Sequence, residues 1–353
     1  MHILHMNKGD GETSYAKSSL LQKKIIAVGI PMVEAAIVNI VCELLQLDEC
    51  MGLADLGCSS GPNSLTVIQQ LVYLCATAHL VPKDPGSRPP KSKPRLASAS
   101  TFTHHVGFLA VHGSTRPLTW SLIWGKSPHV AAARSRTPDL CPMKDYNPVP
   151  VGLGPYSNKE KIYISKSSSA SVVEAYREQF KEDFSTFLMS RSKEVIIKGR
   201  MVLSFLGRMS PDPFADEVCF QWENLARSLM SLASDGLLEK EMIDSFNIPY
   251  YAPTPKEVEH EVANEGSFVV DGFEAFEIDW DVGDSSTIIK ESSGHRMAKT
   301  MRAGLEPMFG SHFHLGPELM DELFRRFAII IDDCFSKRRH KFPNLVFSLI
   351  KKG

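Results

Sequence analysis

Apolar strand-like runs alternate with long helical patterns in this sequence, and this alternation is the strongest constraint on its fold. The run MVLSFLG at 201–207 follows an amphipathic pattern at 170–195, in which aromatic and aliphatic residues recur at helical spacing. Another helical pattern at 317–337 precedes the apolar run NLVFSLIKK at 344–352. Strands that alternate with helices predict an α/β fold with a mostly parallel sheet.

A segment of different composition interrupts this alternation from about residue 75 to residue 150. It holds eleven of the 22 prolines and ten Lys or Arg side chains, but no glutamate. Its runs follow neither a period of 2 nor one of 3.6, so we expect little regular structure there. A disordered insertion, a basic linker and a mis-spliced or frame-shifted exon are all compatible with this composition.

The chain is therefore expected to consist of five parts. They are an N-terminal part of the core at 1–74, the atypical segment at 75–150, a continuation of the core at 151–211, a helical cap at 212–264, and further core and cap elements at 265–353.

The apolar stretch at 25–42 is nearly long enough to span a membrane. Pro31, Glu34 and Asn39 within it would be costly in lipid, so we expect a helix buried in a protein core. Seven scattered cysteines without a CxxC pair, and no signal-like pattern in the first residues, predict a cytoplasmic protein. The formal net charge of −2 gives no indication of binding to nucleic acid or to a membrane.

The run LADLGCSSGPNS at 53–64 has the pattern of a strand that enters a glycine turn. Only Gly57 and Gly61 are present, so the second glycine of a dinucleotide fingerprint is missing, and there is no Walker lysine. Asp55, two residues before the first glycine, suits a positively charged ligand. S-adenosylmethionine is such a ligand, with a sulfonium and an ammonium group, although a purely structural turn would have the same sequence.

Several runs in a fixed order resemble the plant SABATH family of S-adenosylmethionine-dependent methyltransferases. Among them are HMNKGDGETSYAKSSLLQKK, ADLGCSSGPNS, SNKEKIYISKSS, IDSFNIPYYAPTPKEVEHEV and MRAGLEPMF. The resemblance covers about residues 3–73 and 149–353, and it implies a Rossmann-like class I methyltransferase core with a helical cap. It also implies methylation of a small carboxylic acid such as salicylate, benzoate or jasmonate, or of a purine ring nitrogen.

The resemblance implies that four residues bind the methyl donor. They are Tyr15, Asp55, Cys58 and Asn63. The ring of Tyr15 can offer its π face to the sulfonium, and Asn63 can satisfy donors near a helix N-terminus. Cys58 is almost equally well explained as a small residue that fills the turn.

The resemblance further assigns three residues to the acceptor acid. Gln22 would hold its carboxylate, and Trp222 and Tyr251 would line its pocket. From the residues alone, Gln22 is better explained as a solvated position on a helix, and the two aromatic residues as ordinary core.

Asn158, Asp244, Phe246 and Asn247 match a Mg²⁺ position of some family members. Two amides, one carboxylate and the Phe246 carbonyl would supply the hard oxygen ligands that this ion prefers. An Asx-turn before the Ile-Pro pair that follows explains the same residues without a metal. The family resemblance also implies a homodimer.

No catalytic general base is expected. A carboxylic acid with a pKa of about 4 is ionised at neutral pH, so its oxygen can attack the methyl group directly. Alignment of the two reactants in a dry site can supply roughly 7–11 kcal/mol. The family's strand-end Asp, its Ser-Phe pair and its His-Trp pair have no counterpart at 75–150. A catalytically inactive homologue, which only binds or dimerises, and a purine N-methyltransferase therefore remain alternatives to a carboxyl methyltransferase, although Gln22 disfavours the purine acceptor.

Overall fold

The computed structural model describes residues 20–44, 53–56, 107–112, 119–125, 150, 153–154, 156–280 and 291–353. In chain order these residues form α1 (Leu20–Leu44), β1 (Leu53–Leu56), β2 (Gly107–His112), β3 (Thr119–Gly125), α2 (Ala170–Ser192), β4 (Arg200–Leu206), α3 (Asp216–Ser234), α4 (Lys240–Asp244), α5 (Pro255–Glu265), β5 (Phe268–Asp279), α6 (Ser293–Phe313), α7 (Pro317–Lys337) and β6 (Lys341–Lys351).

The strands form one sheet in the order β1-β3-β4-β6-β5, and β2 also pairs with β3. Helices pack against this sheet, so the predicted α/β architecture is confirmed. Every described pairing is antiparallel, however, and the prediction of a mostly parallel sheet is wrong for neighbouring strands. β4 and β5 still run in the same direction, because each pairs antiparallel with β6 between them.

The reversed direction of β6 follows from the helical hairpin that precedes it. α6 and α7 pack against each other, and the backbone N–H of Gly294 near the start of α6 donates to the Asp332 carboxylate near the end of α7, at 2.7 Å. The two helices therefore run antiparallel and return the chain to the end where β5 stopped. Asp279 consequently pairs with Lys341, and β6 runs back along β5.

Two strands lie inside the segment at 75–150, for which the composition predicts little regular structure. β2 and β3 pair with each other, and β3 pairs with β4 on the described sheet. The prediction does not hold for these two stretches. Apart from Pro150, the remainder of the segment lies outside the described residues, as does the predicted helix that begins near Asn63.

β4 is at the centre of the core, since all of its residues from Arg200 to Leu206 are buried. α2 packs its predicted apolar face inward, and this face buries Tyr176, Phe180, Phe184 and Leu188. These residues lie three or four positions apart, which places them on one side of a helix. The helix and the strand predicted for this region are both confirmed.

α1 covers the apolar stretch at 25–42 and continues through Pro31, whose ring is exposed. The helix buries Leu21, Ile25 and Ile37, as expected for a helix that packs on a protein core. Among the helices of the described ranges, none combines the length and the apolar character needed to cross a membrane.

α6 is an element for which the sequence gives no clear signal. It contains Pro307 and three glycines, which weaken intrinsic helix propensity. The helix begins where the Ser292 side chain accepts a hydrogen bond from the His295 backbone N–H, at 3.2 Å. Packing against α7 then stabilises it, as tertiary contacts commonly do for helices of low propensity.

Candidate functional site

The predicted donor-binding residues are described only at Asp55. This residue lies in β1, where it pairs with Leu122 of β3. Tyr15, Cys58 and Asn63 lie outside the described residues. Their roles in binding S-adenosylmethionine stay predictions, and no step of the reaction is derived from them.

The two predicted pocket aromatics, Trp222 and Tyr251, are both buried, in an aromatic group that consists of two sets of packed rings, one around each residue. The Trp222 ring on α3 has its centroid 5.2 Å from the ring of Tyr250 and 6.0 Å from the ring of Tyr163. Tyr251 follows Tyr250 in the chain, and its ring lies 5.2 Å from that of Phe180 on α2. The structure therefore brings Trp222 against Tyr250, the residue that precedes Tyr251 in the chain.

Trp222 carries a buried donor without a partner. Its side chain is buried, and within the described part of the chain the indole Nε1 meets no hydrogen-bond acceptor. An indole nitrogen can only donate, and a buried donor left unpaired costs about 1–3 kcal/mol. An oxygen of a bound ligand would remove this cost, so the geometry fits a ligand with an acceptor atom at this point.

Gln22 is buried on α1, so its alternative interpretation as a solvated helix residue is wrong. Its Oε1 atom also meets no hydrogen-bond donor among the described residues. α1 packs against β4, the strand that leads to the aromatic group. The structure thus supports a buried polar position here, while the contact between Gln22 and an acceptor acid stays a prediction.

Asn158 and Asn247, two of the four predicted metal ligands, are in direct contact. Asn158 Nδ2 donates to Asn247 Oδ1 at 3.0 Å and to the Tyr163 carbonyl at 3.0 Å. Asn158 Oδ1 in turn accepts from the Ser168 hydroxyl at 2.8 Å. The hydroxyl of Tyr176 also donates to Asn247 Oδ1, at 3.4 Å. We call these side chains, with Asp244 described next, the asparagine cluster.

Asp244 belongs to the asparagine cluster, and Phe246 precedes Asn247 in the chain. Asp244 Oδ1 accepts from the backbone N–H of Glu160 at 2.7 Å. Phe246 is fully buried, and its ring packs 5.6 Å from that of Phe309 and 5.0 Å from that of Phe313. The structure therefore brings the predicted metal-binding residues into one region, although they come from chain segments some 90 positions apart.

The oxygens of this cluster do not fit a Mg²⁺ ion in the arrangement observed. Asn247 Oδ1 accepts a hydrogen bond from Asn158 Nδ2 and lies 3.4 Å from the Tyr176 hydroxyl, which is equally close to the Ile162 carbonyl. The amide nitrogen of Asn158, not its oxygen, faces Asn247. We therefore derive no step through a metal, and the magnesium assignment stays a prediction.

The asparagine cluster and the aromatic group are joined through a short loop. Asn158 holds the carbonyl of Tyr163, and the backbone N–H of Ile248 donates to the carbonyl of Ile162 at 2.7 Å. The Tyr163 hydroxyl accepts from the backbone N–H of Ala252 at 3.4 Å. The loop around Tyr163 therefore fixes the backbone on both sides of Tyr250 and Tyr251.

A buried ion pair lies on the other side of Tyr251. Arg208 Nη2 is 2.9 Å from Glu257 Oε2 and donates to the Tyr251 hydroxyl at 3.2 Å. The Tyr251 hydroxyl donates to Glu257 Oε1 at 2.6 Å. The Arg208 side chain is 3% exposed and that of Glu257 22%, so this pair is largely shielded from water.

The pKa values of this group follow from burial and from the ion pair. Burial raises the pKa of Glu257, but hydrogen bonds from Thr254 and Tyr251 and the charge of Arg208 outweigh it, and the pKa lies below its usual value. Burial, opposed by Arg208 and aided by the charge of Glu257, raises the pKa of Tyr251 to about 12. Burial is also the largest cause of the raised pKa values of Tyr163 and Tyr250. Glu257 is therefore charged at neutral pH, and the three phenols are protonated.

Arg208, Glu257 and Tyr163 are residues that the sequence analysis does not single out. Two signals for them are present in the sequence. Gly207 and Arg208 place a charge directly after a strand that is apolar along its length. The run Thr254-Pro255-Lys256-Glu257 has the Ser/Thr-x-x-Glu spacing of a capping box with Pro at the first helical position, and the structure has that capping box. Tyr163 has no comparable signal.

The family model described as "SAM dependent carboxyl methyltransferase" matches residues 1–90 and 148–352. The chain belongs to this family. The match leaves residues 91–147 of this methyltransferase uncovered, within the segment from about residue 75 to residue 148 that is predicted to depart from the family pattern.

This methyltransferase is similar over its full length to proteins that are named as methyltransferases. It is 44% identical over 381 residues to "Probable jasmonic acid carboxyl methyltransferase 2" of Theobroma cacao, which covers 100% of this chain and 99% of that protein. It is 36% identical over 395 residues to "Jasmonate O-methyltransferase" of Arabidopsis thaliana, with 100% and 99% covered. The fold matches a solved structure named "Loganic acid methyltransferase with SAH" with a TM-score of 0.68 at 24% identity, over 99% of each chain. This last match confirms the predicted methyltransferase fold.

The family settles the reaction class. The protein is an S-adenosylmethionine-dependent carboxyl O-methyltransferase that acts on a small carboxylic acid, as the sequence predicts. The comparisons give no support to an inactive homologue or to a purine acceptor.

Replacement of Asn158 tests whether the asparagine cluster is held by hydrogen bonds. Asn158→Ala leaves Asn247 Oδ1 and the Tyr163 carbonyl without the same donor, so we expect a loss of about 1–3 kcal/mol in the free energy of unfolding. Lys159→Ala, at the exposed neighbouring position, is expected to change it by less than about 0.5 kcal/mol. Urea denaturation measures both. Excess EDTA should leave the wild-type melting temperature unchanged, whereas a fall that Mg²⁺ reverses would show that the cluster binds an ion.

Acid titration tests the lowered pKa of Glu257. Because the folded-state pKa of Glu257 is below the usual value of a Glu side chain, the ion pair stabilises the protein at pH values above that usual pKa, and this stabilisation is lost as the pH falls toward the folded-state pKa. Glu257→Gln should be less stable than wild type at neutral pH, and this difference should shrink between about pH 5 and pH 3. The measurement is the urea midpoint of both proteins across this range. A difference that does not change with pH would contradict the assignment.

Proposed function

We propose that this methyltransferase transfers a methyl group to the carboxylate of jasmonic acid and releases methyl jasmonate. The observation that carries the proposal is the similarity, over essentially the full length of both chains, to two proteins named for jasmonate. The higher of the two identities is 44%. An aromatic group that offers one unpartnered N–H also suits an acid whose ring is mainly apolar and whose polar atoms are few.

The chain's own residues would hold and orient the acid. Trp222 supplies a buried donor for an oxygen of the ligand, and Tyr251 supplies a ring held at its hydroxyl by Arg208 and Glu257. The buried rings around Trp222 exclude water from this position. Such fixed alignment in a dry environment is what a displacement between two bound reactants requires.

The reaction does not require a base, because no proton needs to leave the ionised acid. None of the described residues of the aromatic group is in a state to act as one. The phenols of Tyr163, Tyr250 and Tyr251 are protonated at neutral pH, so they can donate hydrogen bonds but cannot act as bases. Glu257 is charged but is engaged with Arg208 and Tyr251. S-adenosylmethionine, when bound, supplies an electrophilic methyl group on its sulfonium, and an ionised carboxylate is already the nucleophile.

We also propose that the protein is a cytoplasmic homodimer. Cys219 and Cys334 are both free thiols, which fits a reducing compartment. The homodimer rests on the family resemblance. No Mg²⁺ ion is proposed at Asn158, Asp244, Phe246 and Asn247, because hydrogen bonds within the protein engage the Asn158 amide and the Asp244 carboxylate.

A turnover assay tests the jasmonate proposal. The purified full chain is incubated with S-adenosylmethionine and, separately, with jasmonic, salicylic and benzoic acids and a purine, and methylated products are quantified by mass spectrometry. We expect the highest kcat/KM for jasmonic acid and no product from the purine. The rate should be flat from about pH 6 to pH 8, because the acid is ionised throughout this range.

The variant Trp222→Phe tests the buried donor in the same assay. It keeps an aromatic ring but removes the N–H, so we expect the KM of jasmonic acid to rise about tenfold, as loss of one hydrogen bond to a charged group predicts. Preference for salicylic acid would contradict jasmonate as acceptor but not the reaction. A folded protein that esterifies none of the acids would contradict both.

A further inference from the structure

Arg208 contacts the hydroxyl and the ring of Tyr251 and the backbone of Ala252. It follows β4 through Gly207, and it is 2% exposed. One guanidinium nitrogen, Nη1, donates to the carbonyl of Ala252, and Nη2 donates to the Tyr251 hydroxyl at 3.2 Å. The guanidinium carbon also lies 5.1 Å from the centroid of the Tyr251 ring. The end of the central strand thus fixes the hydroxyl, the ring and the backbone of this position.

Glu257 completes the contacts of Tyr251 from the cap. Its Oε1 accepts from the Tyr251 hydroxyl at 2.6 Å, and its Oε2 accepts from the backbone N–H of Thr254 at 2.7 Å. The second contact belongs to the capping box that starts α5. Arg177 on α2 adds a contact of 3.5 Å from its Nε to Glu257 Oε1. Tyr251 is therefore held between the central strand and a cap helix.

A buried ion pair of this kind is not explained by stability alone. Desolvation of two charges commonly offsets their attraction, and well-packed apolar residues in their place are often as stable. What such a pair provides is a fixed geometry, because the planar guanidinium and the carboxylate accept only a narrow set of orientations. The geometry fixed here is that of an aromatic residue in the candidate acceptor site.

We propose that Arg208 and Glu257 are positioning residues for the acceptor acid, and that they act by holding the ring of Tyr251 in place. The inference rests on the proposed function, since it takes Tyr251 as a wall of the acceptor site. Neither residue is required to touch the acid. Loss of either charge lets the Tyr251 ring move, which weakens binding of the acid and leaves the affinity for the methyl donor unchanged.

The chain offers a matched control for this ion pair. Arg191 and Glu194 form a second pair at 2.7 Å, with side chains 5% and 26% exposed, close to the values of Arg208 and Glu257. The guanidinium carbon of Arg191 also lies over an aromatic ring, that of Phe187, at 5.4 Å. This pair is local to the C-terminal end of α2, before β4 begins. The rings of Phe184 and Phe180 lie between Phe187 and the ring of Tyr251. Its loss should affect stability without affecting the acid.

The experiment compares Glu257→Gln and Arg208→Lys with Glu194→Gln and Arg191→Lys. For each full-length variant we measure the KM of jasmonic acid, the KM of S-adenosylmethionine and kcat. We also measure the Kd of jasmonic acid by calorimetry in the presence of S-adenosylhomocysteine. We expect Glu257→Gln and Arg208→Lys to raise both the KM and the Kd of the acid about tenfold, with the KM of the donor within about twofold of wild type. The two control variants should leave the KM and the Kd of the acid within about twofold of wild type.

Each result decides the inference. An unchanged KM and Kd of the acid in Glu257→Gln, or an equal rise in Glu194→Gln, would overturn it. If Arg208→Lys does not fold, Glu257→Gln decides alone, because Gln can keep the capping box. A wild-type protein that binds the acid but does not methylate it would contradict the proposed function, and the Kd values of the variants would still decide the positioning role. A wild-type protein that binds none of the tested acids would overturn both.

Discussion

The buried contact between Arg208 and Glu257 is the interaction that fixes the position of Tyr251 in this protein. It joins the carboxyl end of the central strand β4 to the first turn of α5. The hydroxyl of Tyr251 forms hydrogen bonds with both charged groups. The chain can make this contact because Gly207 precedes Arg208. A Cβ atom at Gly207 would overlap the side chain of Leu345 and lie 2.7 Å from the carbonyl oxygen of Pro253. A side chain at this position would push the segment that carries Tyr251 away from the strand.

The residues predicted separately for acid binding and for metal binding form one continuous assembly. Asn158 and Asn247 hold the loop around Tyr163, and Tyr163 packs against both Trp222 and Tyr250. The asparagine cluster therefore orients the aromatic group through the backbone of that loop. Hydrogen bonds within the protein are sufficient for this task, because the nitrogen and the oxygen of the buried Asn158 amide both find partners among neighbouring side chains and a carbonyl.

Local pattern predicts the elements of this fold better than their directions. α2 and α7 have a clear apolar period, β4 and β6 are apolar runs, and all four were predictable from the sequence. The antiparallel β6 was not, because its direction depends on the helical hairpin of α6 and α7, and α6 has low intrinsic propensity. For the site, the aromatic and amide residues were predictable from a family resemblance. Arg208 and Glu257 were missed, because an ion pair between residues 49 positions apart depends on how the strand and the helix pack together.

The central claim is that this protein binds the methyl donor and is a working methyltransferase. The most direct test is to measure the binding of S-adenosylhomocysteine to the purified full chain by calorimetric titration. The family match stops at residue 90 and resumes at residue 148, so donor binding must survive the departure between them. We predict saturable binding with a micromolar Kd and one site per chain. Absence of binding heat from a protein that unfolds cooperatively would contradict the assignment of activity to this chain.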